Sequence, residues 1–111
     1  MGEMFQEVCA QATRNLRRTI DLLSLAEERA RSNVSDLAWL HGARAKLLIA
    51  CVLLNETIPN AGTLTSVSEL ILKAETCLAA IDIDVDALSM RIADALLLET
   101  RVRIENCRQS A

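Results

Sequence analysis

Aromatic residues are nearly missing from this chain: Phe5, Trp39 and no Tyr among 111 residues. Glycine occurs three times, proline once and histidine once. So few aromatics and turn formers exclude a β-rich fold, which needs β-branched and aromatic strands joined by frequent tight turns. A single histidine, His41, excludes a multi-histidine metal site. A di-iron bundle needs Glu-x-x-His on paired helices, and the residue three before His41 is Ala38. A Cys-His nucleophile pair needs a cysteine beside His41, and no local signature marks one. There is no Gly-rich phosphate loop. Asp82, Asp84 and Asp86 alternate like the start of a calcium loop, but the sixth and twelfth positions are Ala87 and Ala93 rather than Gly and Glu. The chain therefore reads as a non-enzyme with no catalytic residue, no cofactor and no metal.

Excess charge of one sign is also lacking. The formal net charge is −3, and an acidic chain lacks the electropositive face that general nucleic-acid binding requires. Arg14, Arg17 and Arg18 are the one local exception; they read as a solvated face, with Arg17 four residues before Asp21. Long apolar runs are absent too. The longest, Leu47 to Leu54, is under half a membrane span. The N-terminus shows neither a basic n-region nor an apolar core, and Gln6 stands where N-myristoylation favours Ser or Thr. The expectation is a cytoplasmic protein with no membrane and no nucleic-acid partner. Cys9, Cys51, Cys77 and Cys107 are too far apart for a Cys-x-x-Cys site. They read as small buried hydrophobes in a reducing compartment, with Cys107, near the free end, the most reactive.

What is present is Leu, Ala, Ile, Arg and Glu, in a chain that is 51% hydrophobic. These residues favour or tolerate helix, and the fold class is all-α. The periodicity predicts one domain of four helices, at about 3–31, 35–55, 67–81 and 86–107. The first carries one apolar stripe through Phe5, Cys9, Leu16, Leu23 and Ala30, with Asn15 among the polar residues opposite. The second, capped by Asn33 or Ser35, becomes apolar all round from Leu47 to Leu54, as a central or interface helix would. The third opens on the capping box Ser66-Val67-Ser68-Glu69. The fourth, capped by Asp84 or Asp86, has one stripe through Leu88, Ile92, Leu96 and Val102, interrupted by Glu99, and a second through Met90, Leu97, Arg101 and Ile104. The second stripe exceeds what one core-facing stripe requires, and is expected to face a partner.

The pattern also repeats. Leu22-Leu23-Ser24-Leu25-Ala26-Glu27 is echoed by Leu70-Ile71-Leu72-Lys73-Ala74-Glu75, with Ala74 lying 48 positions after Ala26; Leu88 lies 51 after Leu37. Self-similarity at such a period marks stacked helical hairpins. Four antiparallel helices then form two hairpins, arranged as a four-helix bundle or as a short open stack.

The segment Leu72-Lys73-Ala74-Glu75-Thr76-Cys77-Leu78-Ala79-Ala80-Ile81-Asp82-Ile83-Asp84 resembles the second helix and exit turn of a tetratricopeptide repeat. The family's alternation of Ala, a bulky residue and a small residue falls on Ala74, Leu78 and Ile81, the last departing from the pattern. The acidic exit turn lacks the family's proline. Trp39 and the small pair Gly42-Ala43 look like part of a first helix, where small residues allow close approach. The spacing near 50, against 34 in the family, resembles the long-helix, degenerate members of the tetratricopeptide-like superfamily. The resemblance covers residues 22–105 loosely, and implies a protein-binding adaptor, chaperone or regulatory module.

Apolar residues beyond one stripe per helix point the same way. Trp39, Leu53, Met90, Leu97, Arg101 and Ile104 are the candidate partner-binding residues. The expected function is a small protein–protein interaction module. The alternative is an obligate homodimer that buries the second and fourth helices of two chains about a two-fold axis. More remote is a small helical enzyme or ligand carrier with a pocket near His41.

Overall fold

A computed structural model describes residues 2–56, 58–81 and 87–110. They form four helices and no strand: α1 (Gly2–Arg29), α2 (Val34–Glu56), α3 (Ala61–Ala79) and α4 (Ala87–Ser110). The side chains of Gly2, Glu3, Met4 and Ser110 are not among those described. The turn 82–86, with the aspartates expected to cap α4 and to point Ile83 and Val85 inward, lies outside the described residues.

Local chemistry sets the helix ends. Asn33 caps α2: its Oδ1 accepts the Asp36 backbone N–H at 3.0 Å. α3 begins six residues before the expected start at 67. The cap is Asn60, directly after Pro59, and its side chain accepts the Thr63 backbone N–H at 3.0 Å while the Thr63 hydroxyl accepts the Asn60 N–H at 3.3 Å. This reciprocal pair does the work assigned to Ser66 and Glu69, which lie inside the helix instead. The extra turns bury Leu64 and Val67 in the core.

Helices consecutive in sequence pack on each other and α1 packs on α4, so among the described residues the four close into a ring whose backbones approach along its sides. Contacts taken in pairs run in opposite directions, as antiparallel neighbours require: Glu27–Arg44 with Arg17 near Cys51, Glu75–Arg101 with Ser68–Glu105, and Asn15–Thr100 with Cys9 near Cys107. The Cα extents, 47 × 22 × 18 Å, are those of a four-helix bundle. Of the two arrangements open to two hairpins, this is the bundle.

Burial coincides at some of the positions related by the repeat offsets. At an offset of 48, the buried residues Leu16, Leu23, Ala26 and Ala30 of α1 correspond to Leu64, Ile71, Ala74 and Leu78 of α3, all buried. At an offset of 50, Ala43, Leu47, Ala50 and Leu54 of α2 correspond to Ala93, Leu97, Thr100 and Ile104 of α4, again all buried. The pairing of Leu37 with Leu88 at 51 does not hold at the level of burial: Leu37 is half-buried and Leu88 exposed. At other positions the hairpins differ: Leu40 and Cys51 are buried where Met90 and Arg101 are half-buried, and Cys77 is buried where Arg29 is exposed.

Two expectations about faces need correction. In α4 the core stripe is Ala93, Leu97, Thr100, Ile104 and Cys107, while Leu88, Leu98 and Val102 are exposed. Thr100 completes that stripe because its hydroxyl is satisfied inside, donating to the Leu96 carbonyl at 2.6 Å. Asn15, expected on the polar side of α1, is buried; it accepts from Gln11 at 3.0 Å and donates to Thr100 at 3.2 Å.

Candidate functional site

The outward side of α2 is the feature that the fold does not account for. Its exposed positions between the ends are Ala38, Trp39, His41, Ala45, Leu48, Ile49 and Val52. None carries a fixed charge. A helix on the outside of a bundle ordinarily turns charged and polar residues to water. Here Trp39, Leu48, Ile49 and Val52 each keep about half their surface exposed. Leu25 of α1, also about half exposed, adds to the apolar surface outside the core.

The second hairpin supplies an internal comparison. At the offset of 50 that matches the two cores, Ala45, Leu48 and Val52 correspond to Ala95, Leu98 and Val102 on α4, all exposed. His41, Ile49 and Leu53 correspond to Arg91, Glu99 and Arg103. Glu99 and Arg103 form an ion pair at 3.0 Å, each about half exposed. Glu99 is thus a surface ion-pair partner at the stripe's edge rather than a buried charge. The bundle tolerates charge at the first two of these places on α4, so packing does not dictate its replacement by His41 and Ile49 on α2, whereas Leu53 packs against the core.

The rim of the α2 face is polar. Between α1 and α2 runs an open groove of about 480 Å³ with Ile20, Leu48, Cys51 and Val52 along it and Arg17, Asp21, Asn55 and Glu56 at its edges. Farther along, Arg44 donates to Glu27 at 2.7 Å and His41 Nδ1 lies 3.2 Å from the same carboxylate oxygen. His41 therefore belongs to a surface charge cluster. Apolar floor and charged margin make a combination that suits burial against another surface.

The sequence candidates are distributed unevenly. Trp39 lies on the α2 face, 44% exposed. Leu53 and Met90 are half-buried against the core. Leu97 and Ile104 are 0% exposed and belong to the core, because the second stripe of α4 is the inward one. Arg101 holds Glu75 of α3 through two hydrogen bonds, 2.7 and 3.3 Å, and staples α3 to α4. The apolar stripes do not select Leu48, Ile49 and Val52 as surface residues. Their signal is the run from Leu47 to Leu54, which is apolar on every side of a helix that has only one inward side in this bundle.

The four cysteines are free and buried. Cys107, expected to be the most reactive, is as enclosed as the others. Burial pushes the Cys9 thiol above its ordinary value, with Cys107 nearby adding to the shift. Burial does the same at Cys51, partly offset by Arg17. Such thiols are poor nucleophiles near neutral pH. Among the described residues no group of three or more His, Cys, Asp or Glu side chains is placed to hold a metal ion.

By length and composition α2 is the one described helix that could cross a membrane; its most apolar window has a mean hydropathy of 1.6, and a third of that window is buried inside the bundle. No family model, curated protein or solved structure matches the chain.

Proposed function

We propose that this protein is a small cytoplasmic protein–protein interaction module that buries the outer face of α2 against another protein chain. One observation carries the reading: two outward positions that hold charge on α4, Arg91 and Glu99, are His41 and Ile49 on α2, beside the exposed Trp39, Leu48 and Val52. Apolar surface that folding does not require is retained where association uses it. Trp39 is the anchor of the face, since aromatic side chains contribute most to such contacts. Leu48, Ile49 and Val52 extend it, and Arg17, Asp21 and Glu56 form the rim that gives specificity. The resemblance of the α3 segment to a tetratricopeptide helix points to the same class of function. The reading assigns the protein no catalytic role and no cofactor, and a reducing compartment suits its four free thiols.

The test is site-specific photo-crosslinking in the cells that make the protein. A photo-reactive residue replacing Ile49 is expected to yield a discrete protein adduct, and the same residue replacing Glu99 is expected to yield none. Equal labelling at both positions, or none at either, would sink the reading.

A further inference from the structure

Independently of what covers α2, we infer that Cys9 and Cys107 are a peroxide-responsive pair whose disulfide locks α1 onto α4.

Register brings these two sulfurs together. Asn15 of α1 meets Thr100 of the antiparallel α4 at 3.2 Å. Cys9 lies six residues before Asn15, and Cys107 seven after Thr100. These are rises of about 9 and about 10.5 Å, so the cysteines stand at one level of the α1–α4 contact. Both are buried, Cys9 on the stripe of Ala12 and Leu16, Cys107 on that of Thr100 and Ile104. Packed helix axes stand about 8–10 Å apart and each Cα about 2.3 Å from its axis, so facing Cα atoms approach to roughly 3.5–5.5 Å. A disulfide spans about 4.4–6.8 Å between Cα atoms. Cys107 is also close enough to add to the upward shift of the Cys9 thiol.

The other pairings do not fit. The Cys77 sulfur faces Gly42, 3.6 Å from where a Cβ there would stand, and Cys51 is nine residues, or about 13 Å, farther along α2. Cys51 lies near Arg17, which is eight residues, or about 12 Å, from Cys9. Ser68 of α3 meets Glu105 of α4 at 3.2 Å, which leaves Cys77 about 13 Å along α3 from that level. Cys9 with Cys77, and Cys51 with Cys107, belong to diagonally opposite helices, whose backbones do not approach one another among the described residues.

A small oxidant enters at Cys9. With Phe5, Gln6, Ile58 and Pro59 this residue lines a cavity of about 270 Å³, with Ile58 exposed at its rim. Hydrogen peroxide is the oxidant that balances the chemistry. The Cys9 thiolate attacks one peroxide oxygen; an S–O bond forms, the O–O bond breaks, and the departing hydroxide takes up the Cys9 proton as water. The Cys107 sulfur then attacks the Cys9 sulfur; the S–S bond forms, the S–O bond breaks, and the second water carries away the Cys107 proton. Two thiols are oxidised, one peroxide is reduced, and two waters leave. Burial makes the first attack slow, so the pair answers sustained rather than trace oxidant. The bond closes a loop that omits only the first eight and last four residues. It constrains the unfolded chain nearly end to end and so stabilises the closed ring.

The test exposes the reduced, folded chain to hydrogen peroxide and maps its cysteines by mass spectrometry without reductant. The intact mass is expected to fall by two hydrogens in the monomer, and the digest to contain one linked pair of peptides, Cys9 with Cys107. The oxidised chain is expected to melt roughly 8–16 °C higher, and dithiothreitol to reverse both changes. Cys107→Ala is expected to abolish the mass loss and the rise in melting temperature, and Cys77→Ala to keep both. Should Cys107→Ala lose helical circular dichroism, the wild-type digest decides, run beside a digest of the chain oxidised in urea, where the Cys9–Cys107 link is expected to lose its excess over other pairs. Linkage through Cys51 or Cys77, oxygen added to a single sulfur, a chain that remains reduced, or a Cys9–Cys107 link no more frequent in the folded chain than in urea overturns the inference.

Discussion

Asn15 of α1 donates a hydrogen bond to the hydroxyl of Thr100 on α4, 3.2 Å away and 85 positions on in the sequence. Both side chains are buried. Asn15 also accepts from Gln11, and the Thr100 hydroxyl donates its own hydrogen bond to the Leu96 carbonyl. This is the polar link across the α1–α4 contact, the contact that turns two hairpins into a ring. Buried polar pairs fix register at some cost in stability. Asn15→Ala removes the partner of Thr100 and is expected to cost about 1–3 kcal/mol. The double change Asn15→Leu with Thr100→Val is expected to recover most of that loss, because no buried polar group is then left unmade. Urea melts of the three variants decide it. A double variant no more stable than Asn15→Ala contradicts the pairing.

The position of Leu97 separates core from surface on α4. Leu97 is 0% exposed and its neighbour Leu98 is about half exposed. Leu97→Ala is expected to cost about 2–5 kcal/mol, and Leu98→Ala less than about 1 kcal/mol. At this chain length each kcal/mol lowers the melting temperature by roughly 4 °C, so thermal melts distinguish the two readily. Leu97→Asp is expected to abolish helical circular dichroism. Equal effects at 97 and 98 would show that the two stripes of α4 have been assigned the wrong way round.

Those two stripes explain how far the sequence carries. The class and the number of helices are legible because helix formers and a 3–4 apolar spacing are local properties. The apolar core of α1 is legible for the same reason, since a single stripe admits a single inward side, but the buried polar Asn15 and Thr19 are not. α4 offers two stripes, and the one that turns inward includes Thr100, whose partner Asn15 lies on α1, a tertiary fact. The start of α3 is ambiguous because two capping sequences compete, Asn60/Thr63 and Ser66/Glu69, and only packing of Leu64 selects the earlier. The α2 face is half legible. The run from Leu47 to Leu54 signals excess apolar surface, but its meaning emerges only when α4 is aligned with α2 by burial and shows charge at the matching positions.

Asp94 ties pH to stability. Its carboxyl lies above the ordinary range, first because neighbouring groups strip away water and second because Glu75 is near. The folded chain therefore holds this proton more tightly than the unfolded chain does. A raised carboxyl favours the fold only while protonated, so its effect on stability turns unfavourable as pH rises from the unfolded value of 3.8 through the folded one. At neutral pH the penalty is fully present. Asp94→Asn is expected to be more stable than wild type near pH 7, with the gap closing below about pH 3.8. Urea midpoints of both chains at about pH 3 and about pH 7 read the difference. A gap of the same size at both values contradicts the account.

The two helical glycines outside the first turn of α1 are expected to respond differently to alanine. A Cβ at Gly42 of α2 would lie 3.6 Å from the Cys77 sulfur, ordinary contact distance, so this glycine is not required by the approach of α3. Gly42→Ala is expected to stabilise by about 1 kcal/mol through helix propensity alone, raising the melting temperature by roughly 4 °C. At Gly62 the added carbon would stand 3.1 Å from Asn60 Oδ1, the atom that accepts the Thr63 N–H and caps α3. The propensity gain there is offset by a displaced cap, which is worth about 1 kcal/mol. Gly62→Ala is therefore expected to be close to neutral. Paired thermal melts test the contrast: an equal rise for both would show that the Asn60 cap yields without cost, and a fall at Gly42 would show that the α2–α3 approach does need the glycine.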